Sequence, residues 1–191
     1  MSDVPGGPGK VRCRRAVTGD LDGLGLLDAA CFPETERWSM SAWRAELDDG
    51  VDRAVWVAVR PQAGAEDGCQ VFEQVVAACC FRAVDQDAEL FRVMTDPGLR
   101  GLGLGTVLLT AGLAWARDRG AARALLEVRH DNVTARSLYV DLGFADLYRR
   151  TNYYGPGADA VVMVRALEGL PGPVSGNSGC DKEERSEGRR S

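Results

Sequence analysis

The densest run of glycines in this 191-residue chain lies where a binding site for an anion could form. Residues 96–109 read DPGLRGLGLGTVLL, and glycine alternates with larger residues from Arg100 to Gly105. A strand pattern precedes this run and an amphipathic helical pattern follows it. Backbone N–H groups and the positive end of the helix dipole meet at a helix N-terminus, so this order is typical of a phosphate site. The alternative is a glycine-rich turn that only caps a helix.

Three known phosphate-binding patterns can be compared with this run. A Walker A loop needs Gly-Lys-Ser/Thr, and no lysine follows Gly105. A dinucleotide-binding GxGxxG motif could begin at Gly101, but Thr106 occupies its third glycine position and the preceding strands indicate a meander. The third pattern, Arg/Gln-x-x-Gly-x-Gly/Ala, fits Arg100–Gly105.

Longer segments extend this third match to one family. They read ELFRVMTDPGLRGLGLG, LLEVRHDNVTARSLYVDLGF and RRTNYYGPGADAVVMV, with a weaker echo in FPETERWSMSAW. Together they resemble the RimI-type ribosomal-protein-alanine N-acetyltransferases of the GNAT superfamily, over about residues 11–166. Arg100 stands where glutamine is more usual, and Gly98 and Gly101 stand where bulkier residues are common. These departures leave the N–H donors of the loop in place.

The resemblance implies that acetyl-CoA is the cosubstrate. In the superfamily, the strand before the loop separates from the next strand and offers its N–H groups to the acetyl carbonyl and the pantetheine. The matching residues here are Val93, Met94 and Thr95. The pyrophosphate is expected on the loop that follows, at Arg100, Gly101, Leu102, Gly103, Leu104, Gly105 and Thr106.

Glu127 is the one carboxylate in the apolar strand pattern RALLEVR. Half-burial in such a strand is expected to raise its pKa, and the resemblance assigns it the role of general base, acting through a water molecule. An α-amino group has a pKa of about 8 and lysine about 10.4, so deprotonating an N-terminus costs roughly 3 kcal/mol less. The alternative is a strand-end charge paired with Arg129 or Arg123.

Tyr139 follows Asn132 by seven residues, which places both on one face of the same helix. The resemblance implies that Tyr139 protonates the departing coenzyme A thiolate and that Asn132 contacts coenzyme A. The alternatives are an aromatic ring that anchors the helix to the core and a residue that only caps the helix. His130, the single imidazole, is expected in a solvated turn.

Two further groups of residues could recognise the acceptor, because the resemblance places their segments beside the cleft. Aromatic side chains could frame a peptide, with packing as the competing explanation: Trp38, Trp43, Tyr153 and Tyr154. Acidic side chains could attract an ammonium group, with a solvated face as the alternative: Glu34, Glu36 and Asp159.

Charge, hydropathy and cysteine content argue against several other classes of function. A net charge of −5 argues against broad nucleic-acid binding, and no apolar run approaches the roughly 20 residues that span a bilayer. Without a signal-peptide core, we expect a cytoplasmic protein that is a monomer or a weak dimer. Six cysteines without CxxC spacing and one histidine predict reduced, mostly buried thiols and no metal site.

The hydrophobic periodicity predicts an α/β (α+β) fold in the order β-α-α-β-β-β-α-β-α-β-β. Its mixed central sheet has about seven strands, flanked on both faces by about four helices, which is the GNAT fold that the resemblance implies. The acetyltransferase domain is expected over residues 10–168, between disordered tails at 1–9 and 169–191. The predicted helix caps are Thr18 or Asp20, Ser39 or Ser41, and Asn132.

The sequence therefore predicts an N-terminal protein acetyltransferase that uses acetyl-CoA by direct transfer. The acceptor that the resemblance implies is the N-terminal alanine of a small-subunit ribosomal protein. Two alternatives stay open: an acetyltransferase of small-molecule amines or lysines, and a non-catalytic acyl-CoA sensor.

Overall fold

The computed structural model describes residues 3–4, 11–48, 50–63 and 71–167. The predicted tails therefore lie outside the described residues, apart from Asp3 and Val4, and so do Cys69 and Cys180. Asp3 and Val4 form a short strand that pairs with the next one, inside the segment for which disorder was predicted.

The strands form a single mixed sheet in the order β1-β2-β3-β4-β5-β6-β8-β7. Neighbours pair antiparallel, except β5 and β6, which are parallel. Seven strands correspond to the predicted ones, and the two-residue β1 is added to them. The strands are β1 (Asp3–Val4), β2 (Val11–Arg15), β3 (Arg53–Ala63), β4 (Val71–Val84), β5 (Asp87–Thr95), β6 (Arg123–Arg129), β7 (Ala145–Arg150) and β8 (Ala160–Ala166).

Helices cover both faces of this sheet, as predicted. The helices α1 (Leu21–Cys31) and α2 (Met40–Leu47) pack on one face, in a cluster of buried residues shared with β3 and β4. The helices α3 (Leu104–Asp118) and α4 (Val133–Asp141) pack on the other face in a second cluster. The sheet is therefore the middle layer of three.

Alternation along the central strands assigns each side chain to one face. The neighbours Cys79 and Cys80 on β4 are both buried, and they belong to opposite clusters. Both are free thiols, and burial raises the pKa of each. The prediction of reduced, buried cysteines is confirmed for this pair.

A close approach between α3 and β4 fixes the helix that follows the glycine loop. A Cβ at Gly112 would lie 2.2 Å from Cε2 of the buried Phe81 ring. Glycine is therefore required here for steric reasons. The helix α3 lies close to β4, the strand that pairs with β5.

Two of the three predicted helix caps are confirmed. Ser39 accepts a hydrogen bond from the Ala42 N–H and begins α2, and Asn132 begins α4. Asp20 precedes α1 but does not cap it, so that prediction is wrong. The carboxylate of Asp20 is taken by Arg14, at 2.6 and 2.8 Å.

Candidate active site

The parallel strands β5 and β6 pair over four positions and then separate. The last pair is Leu90 opposite Leu126. Beyond it, β5 stays on β4 as far as Thr95, whereas β6 stays on β8 as far as Arg129. The separation implied by the resemblance is present, and it opens a gap between the C-terminal ends of the two strands.

Alternation along β5 directs the backbone N–H groups of Val93 and Thr95 into this gap. Asp96 donates its N–H to the Val76 carbonyl on β4 at 2.8 Å. Because successive N–H groups of a strand point to opposite sides, those of Val93 and Thr95, three residues and one residue before Asp96, point away from β4 and toward β6. Met94 donates toward β4 instead, and its side chain is buried against α1 and α2. Of the three residues predicted on this strand, Val93 and Thr95 have donors aimed into the gap.

The glycine loop leads into a helix N-terminus without a side-chain cap. Asp96 accepts a hydrogen bond from Gly98 N–H and begins the turn Pro97–Leu99. Gly101 (φ 80°) and Gly103 (φ 77°) have left-handed backbone angles that favour glycine. Gly103 is the N-cap residue of α3 and has no side chain. The N–H groups of the first helical turn therefore lack the partners that a cap supplies.

Side chains of the same loop leave its backbone accessible. Leu104 is buried in the core, whereas Leu102 and Thr106 are exposed. A Cβ at Gly105 would lie in ordinary van der Waals contact with Leu138 of α4, at 3.4 Å, so the two helices are neighbours here. The donors of this turn are its backbone N–H groups and the exposed Thr106 hydroxyl.

Arg100 braces the end of β5. Its Nε donates to the Thr95 carbonyl at 3.4 Å, and the same oxygen accepts from Cys31 Sγ at the end of α1, also at 3.4 Å. Burial raises the pKa of the Cys31 thiol. A protonated thiol is a poor nucleophile, so this cysteine ties α1 to the strand end without being set up for attack.

Glu127 follows the last β6 residue that pairs with β5. Its neighbours Leu126 and Val128 point into the core beneath α3 and α4, so Glu127 points toward the face of α1 and α2. Its side chain is 27% exposed, and the predicted half-burial is confirmed.

The β7–β8 hairpin supplies the partners of this carboxylate. Arg150 forms an ion pair with Glu127. Arg129 and Arg123, the partners named in the alternative to the general-base role, pair with aspartates instead. The Arg150 guanidinium lies 4.0 Å from the centroid of the Tyr153 ring. The pKa of Tyr153 is raised by a hydrogen bond to Glu127 and by the negative charge of the Glu127 carboxylate.

Tyr139 lies on α4, on the opposite face of the sheet from Glu127. Its ring is buried and meets Phe144 edge to face, with centroids 6.0 Å apart. Burial raises the pKa of its hydroxyl, and the charges of Cys79 and Tyr154 add to that rise. The ring therefore anchors α4 to the core, and its hydroxyl stays protonated at neutral pH.

Tyr139 and Glu127 therefore lie on opposite faces of the sheet. Tyr154 contributes to the electrostatic environment of Tyr139, and Glu127 contributes to that of Tyr154.

Two loops flank the Glu127 side of the gap. The α1–α2 loop spans residues 32–39, and the β7–β8 loop spans residues 151–159. On the second loop, Tyr153 and Tyr154 are 45% and 43% exposed. Burial raises the pKa of Tyr154, and the negative charge of Glu36 on the first loop contributes to the rise. The two loops therefore face each other.

The tryptophans predicted at the cleft differ in burial. Trp43 is fully buried, which favours packing for this residue. Trp38 is half-buried, with its ring centroid 4.8 Å from that of Trp43. It lies in the α1–α2 loop, one of the two loops that flank the Glu127 side of the gap.

The remaining polar residues considered for the site are either bound within a loop or exposed to solvent. Asp159 accepts from Arg149 Nε at 2.6 Å and from Asn152 N–H at 2.8 Å, so it holds the β7–β8 loop and is not an open acid. Glu34 and Glu36 are exposed. His130 is an exposed turn residue, as predicted.

Asn132 accepts a hydrogen bond from Ala135 N–H through its Oδ1 at 3.1 Å. This confirms capping, one of the two roles considered for it. The side-chain NH₂ group is not used by that bond and remains available as a donor.

Sequence reasoning missed Arg150, Arg92 and Asp28. Asp28 carried a signal, because it falls on the buried stripe of α1 at helical spacing from Leu24. It forms an ion pair with Arg92 of β5. Arg150 is 23 residues from its partner Glu127, and no local pattern marks such a pair.

A cavity of about 430 Å³ adjoins Glu127 on the sheet. It also was not predicted. Burial raises the pKa of Glu89 in its lining, and the charge of Glu127 adds to the rise. The residues that line the cavity are Arg82, Val84, Asp87, Glu89, Leu125, Leu126, Glu127, Tyr148 and Val162.

Within the described ranges, no helix has both the length and the apolar character needed to cross a membrane. The same part of the chain holds no cluster of three or more His, Cys, Asp or Glu side chains arranged to bind a metal ion.

Residues 24–144 match the model of the Acetyltransferase (GNAT) family. The chain belongs to this family. The [ribosomal protein bS18]-alanine N-acetyltransferase of Haemophilus ducreyi is 33% identical over 99 residues, which are 50% of this chain and 68% of that protein. The crystal structure of the ribosomal-protein-S18-alanine N-acetyltransferase from Escherichia coli superposes with a TM-score of 0.68 at 25% identity, covering 84% of this chain and 96% of that one.

A second kind of relative matches a longer stretch. The mycothiol acetyltransferase of Salinispora arenicola is 34% identical over 142 residues, which are 70% of this chain but 44% of that protein. The chain thus resembles two kinds of acetyltransferase.

Proposed function

We propose that the protein transfers an acetyl group from acetyl-CoA to the N-terminal α-amino group of a protein, in the cytoplasm. The proposed acceptor is the N-terminal alanine of a small-subunit ribosomal protein. The gap between β5 and β6 carries the proposal, because the two strands separate one residue before Glu127 and β5 then leads into the uncapped N-terminus of α3. The relatives named for the alanine of ribosomal protein bS18 support the choice of acceptor.

The residues present suit acetyl-CoA at both ends of its pantetheine. The uncapped first turn of α3 offers N–H groups and a helix dipole to the pyrophosphate. Val93 and Thr95 aim their N–H groups into the gap, where the thioester carbonyl would lie. Asn132, at the N-terminus of α4, offers a side-chain NH₂ donor.

Acetyl transfer needs three functions, and the chain supplies a group for each. Glu127, held by its ion pair with Arg150, takes a proton from the acceptor ammonium directly or through water, and the free amine that this leaves attacks the thioester carbonyl. The N–H groups of Val93 and Thr95 stabilise the oxyanion. Tyr139 donates its proton to the sulfur as the C–S bond breaks.

Direct transfer is supported by the state of the nearby thiol. Cys31 contacts the carbonyl of Thr95, but burial raises the pKa of its thiol. A covalent acetyl-cysteine would need a thiolate at this position. The amine therefore attacks the thioester itself.

The basicity of the acceptor favours a protein N-terminus over lysine. Its α-amino pKa of about 8, against about 10.4 for lysine, saves roughly 3 kcal/mol of deprotonation at neutral pH. A single half-buried carboxylate is suited to that smaller task. The 430 Å³ cavity beside Glu127 offers room for the residues that follow the acceptor alanine.

Substitution of the two proposed catalytic residues tests this function. Glu127→Gln and Tyr139→Phe should each lower kcat on an alanine-starting peptide by about 10²- to 10⁴-fold, measured by mass spectrometry of the acetylated product. Asp118→Asn, which changes an exposed carboxylate paired with Arg117 at the C-terminal end of α3, is the control and should keep wild-type activity. Full activity in both catalytic variants would contradict the assignment.

A small-molecule amine is the second candidate acceptor, because the mycothiol acetyltransferase relative matches 70% of this chain. Competition between an alanine-starting peptide and a set of small primary amines decides between them. We expect the peptide to be acetylated faster at its N-terminus than at an internal lysine and faster than any small amine. Preference for a small amine would overturn the acceptor and leave the catalytic residues unchanged. Binding of acetyl-CoA without any turnover would indicate an acyl-CoA sensor.

A further inference from the structure

A buried ion pair joins β5 to α1 directly beside the gap. Asp28 on α1 and Arg92 on β5 have side chains that are 1% and 10% exposed. Arg92 precedes Val93, one of the two residues whose N–H groups enter the gap. The pair is therefore built into the strand that faces the proposed cosubstrate.

Both members of this pair also hold the α1–α2 loop. The Arg92 guanidinium lies 4.1 Å from the centroid of the Phe32 ring and 4.7 Å from that of Trp38. Its Nη2 donates to the Glu36 carbonyl at 2.5 Å. Asp28 accepts from Trp38 N–H at 2.8 Å. The loop is thus fixed at its start, its middle and its end by one buried charge pair.

The contacts of Arg92 use properties that lysine lacks. A guanidinium is planar, so it stacks on aromatic rings while its N–H groups donate in its own plane. Arg92 uses one nitrogen for Asp28 and another for Glu36. A lysine would keep the charge but lose the stacking and the two-directional donation.

The loop that Arg92 holds lies opposite the β7–β8 loop on the Glu127 side of the gap, and we call the space between these two loops the acceptor cleft. Glu36 interacts electrostatically with Arg129 and Tyr154 on the opposite side of the cleft. A shift of residues 32–38 would therefore change the width of the cleft at the carboxylate that meets the amine.

We propose that Arg92, held by Asp28, is a positioning residue that sets the acceptor wall of the cleft and so governs peptide recognition. This inference rests on the proposed function. Arg92 acts through the α1–α2 loop and not on the reacting atoms. Its removal should weaken the use of the acceptor while sparing the use of acetyl-CoA and the chemical step.

The test removes the pair without leaving a buried charge behind. In the double variant Asp28→Asn/Arg92→Gln, the amide oxygen introduced on α1 still accepts from Trp38 N–H. We expect KM for the alanine-starting peptide to rise about tenfold, with kcat and KM for acetyl-CoA within about twofold of wild type. Arg92→Lys should show a smaller rise in the same KM.

A matched pair elsewhere in the fold gives the control. Arg14 and Asp20 form an ion pair with side chains 23% and 7% exposed, and they lie on β2 and before α1. Arg14→Gln/Asp20→Asn should lower the unfolding temperature without changing either KM. A peptide KM that is unchanged in the Asp28/Arg92 double variant, or that rises no more than in this control, overturns the inference.

Limited trypsin digestion reports the loop position without using activity. The bond after Arg37 lies in the α1–α2 loop, and Arg37 itself bonds to the carbonyls of Phe32 and Ala29. Cleavage there should be faster in Asp28→Asn/Arg92→Gln than in wild type and the control. Equal cleavage would contradict the positioning role. Wild-type protein that acetylates no peptide at all would instead refute the proposed function, and the digestion would still decide whether Arg92 fixes the loop.

Discussion

The helices α3 and α4 each follow one of the two parallel strands, yet their N-termini differ. Asn132 caps α4 by accepting from Ala135 N–H at 3.1 Å, whereas Gly103 holds the same position in α3 and offers no side chain. A capped helix satisfies a donor of its first turn internally, and an uncapped one leaves that donor to water or a ligand. The N-terminus of α4 is therefore stabilised by its own cap, whereas the N-terminus of α3 keeps its N–H groups available to bind a ligand.

Giving α3 a cap of its own should have the largest effect. In Gly103→Asp a carboxylate would compete for the N–H groups of the first turn and repel the pyrophosphate. We expect the Kd for coenzyme A to rise about 100-fold by calorimetry, because a fixed charge opposes the ligand at the same dipole. Gly103→Asn places an uncharged side chain on the same left-handed backbone, so it carries the same strain without the charge, and its Kd should rise far less. Wild-type affinity in Gly103→Asp would remove the basis for the comparison.

The pH dependence of stability tests whether Tyr139 anchors α4 to the core as a buried, protonated phenol. Burial raises the pKa of its hydroxyl in the folded protein, so the unfolded chain ionises this tyrosine first as pH rises. Its contribution to stability is complete below about pH 10 and falls above it, by up to about 1.4 kcal/mol per pH unit. Urea unfolding at pH 9, 10 and 11 should show a steeper loss of stability in wild type than in Tyr139→Phe. Parallel losses in the two proteins would contradict the burial of a protonated phenol.

Substitution of Asn132 should have the smallest effect, and it separates the capping of α4 from the binding of coenzyme A. Asn132→Ala should lower the free energy of unfolding by about 1 kcal/mol through loss of the cap. Asn132→Asp keeps an acceptor for Ala135 N–H but loses the NH₂ donor, so it should retain stability and weaken coenzyme A binding. Ser39→Ala, which removes the cap of α2, is the control and should leave that binding unchanged. If Asn132→Asp binds coenzyme A as wild type does, capping is the whole role of this residue.

Features set by short stretches of chain could be predicted from the sequence. The glycine-rich turn at Gly101 and Gly103, the caps at Ser39 and Asn132, and the opposite faces of neighbouring strand residues all depend on local geometry. The amphipathic helix predicted after the glycine run is α3, which begins at Leu104. The order of helices and strands along the chain followed from the same periodicities together with the family resemblance.

Partner choice among charged side chains could not be predicted, because it depends on residues that folding brings together. Asp28 and Arg92 are 64 residues apart in sequence, and Glu127 pairs with Arg150 instead of the nearer arginines. Asp20 was lost as a helix cap because Arg14 reaches it from β2. In each case a bonding partner outside the local pattern decided the role.

The central claim is that the first-turn N–H groups of α3 bind the pyrophosphate of coenzyme A. Titration of ¹⁵N-labelled protein with coenzyme A, followed by ¹H–¹⁵N correlation spectra, tests it residue by residue. We predict that the largest amide shifts fall on Gly101–Thr106, with a much smaller change at Ala135 in the capped turn of α4. Saturating coenzyme A that leaves the amides of Gly101–Thr106 unshifted would contradict the account.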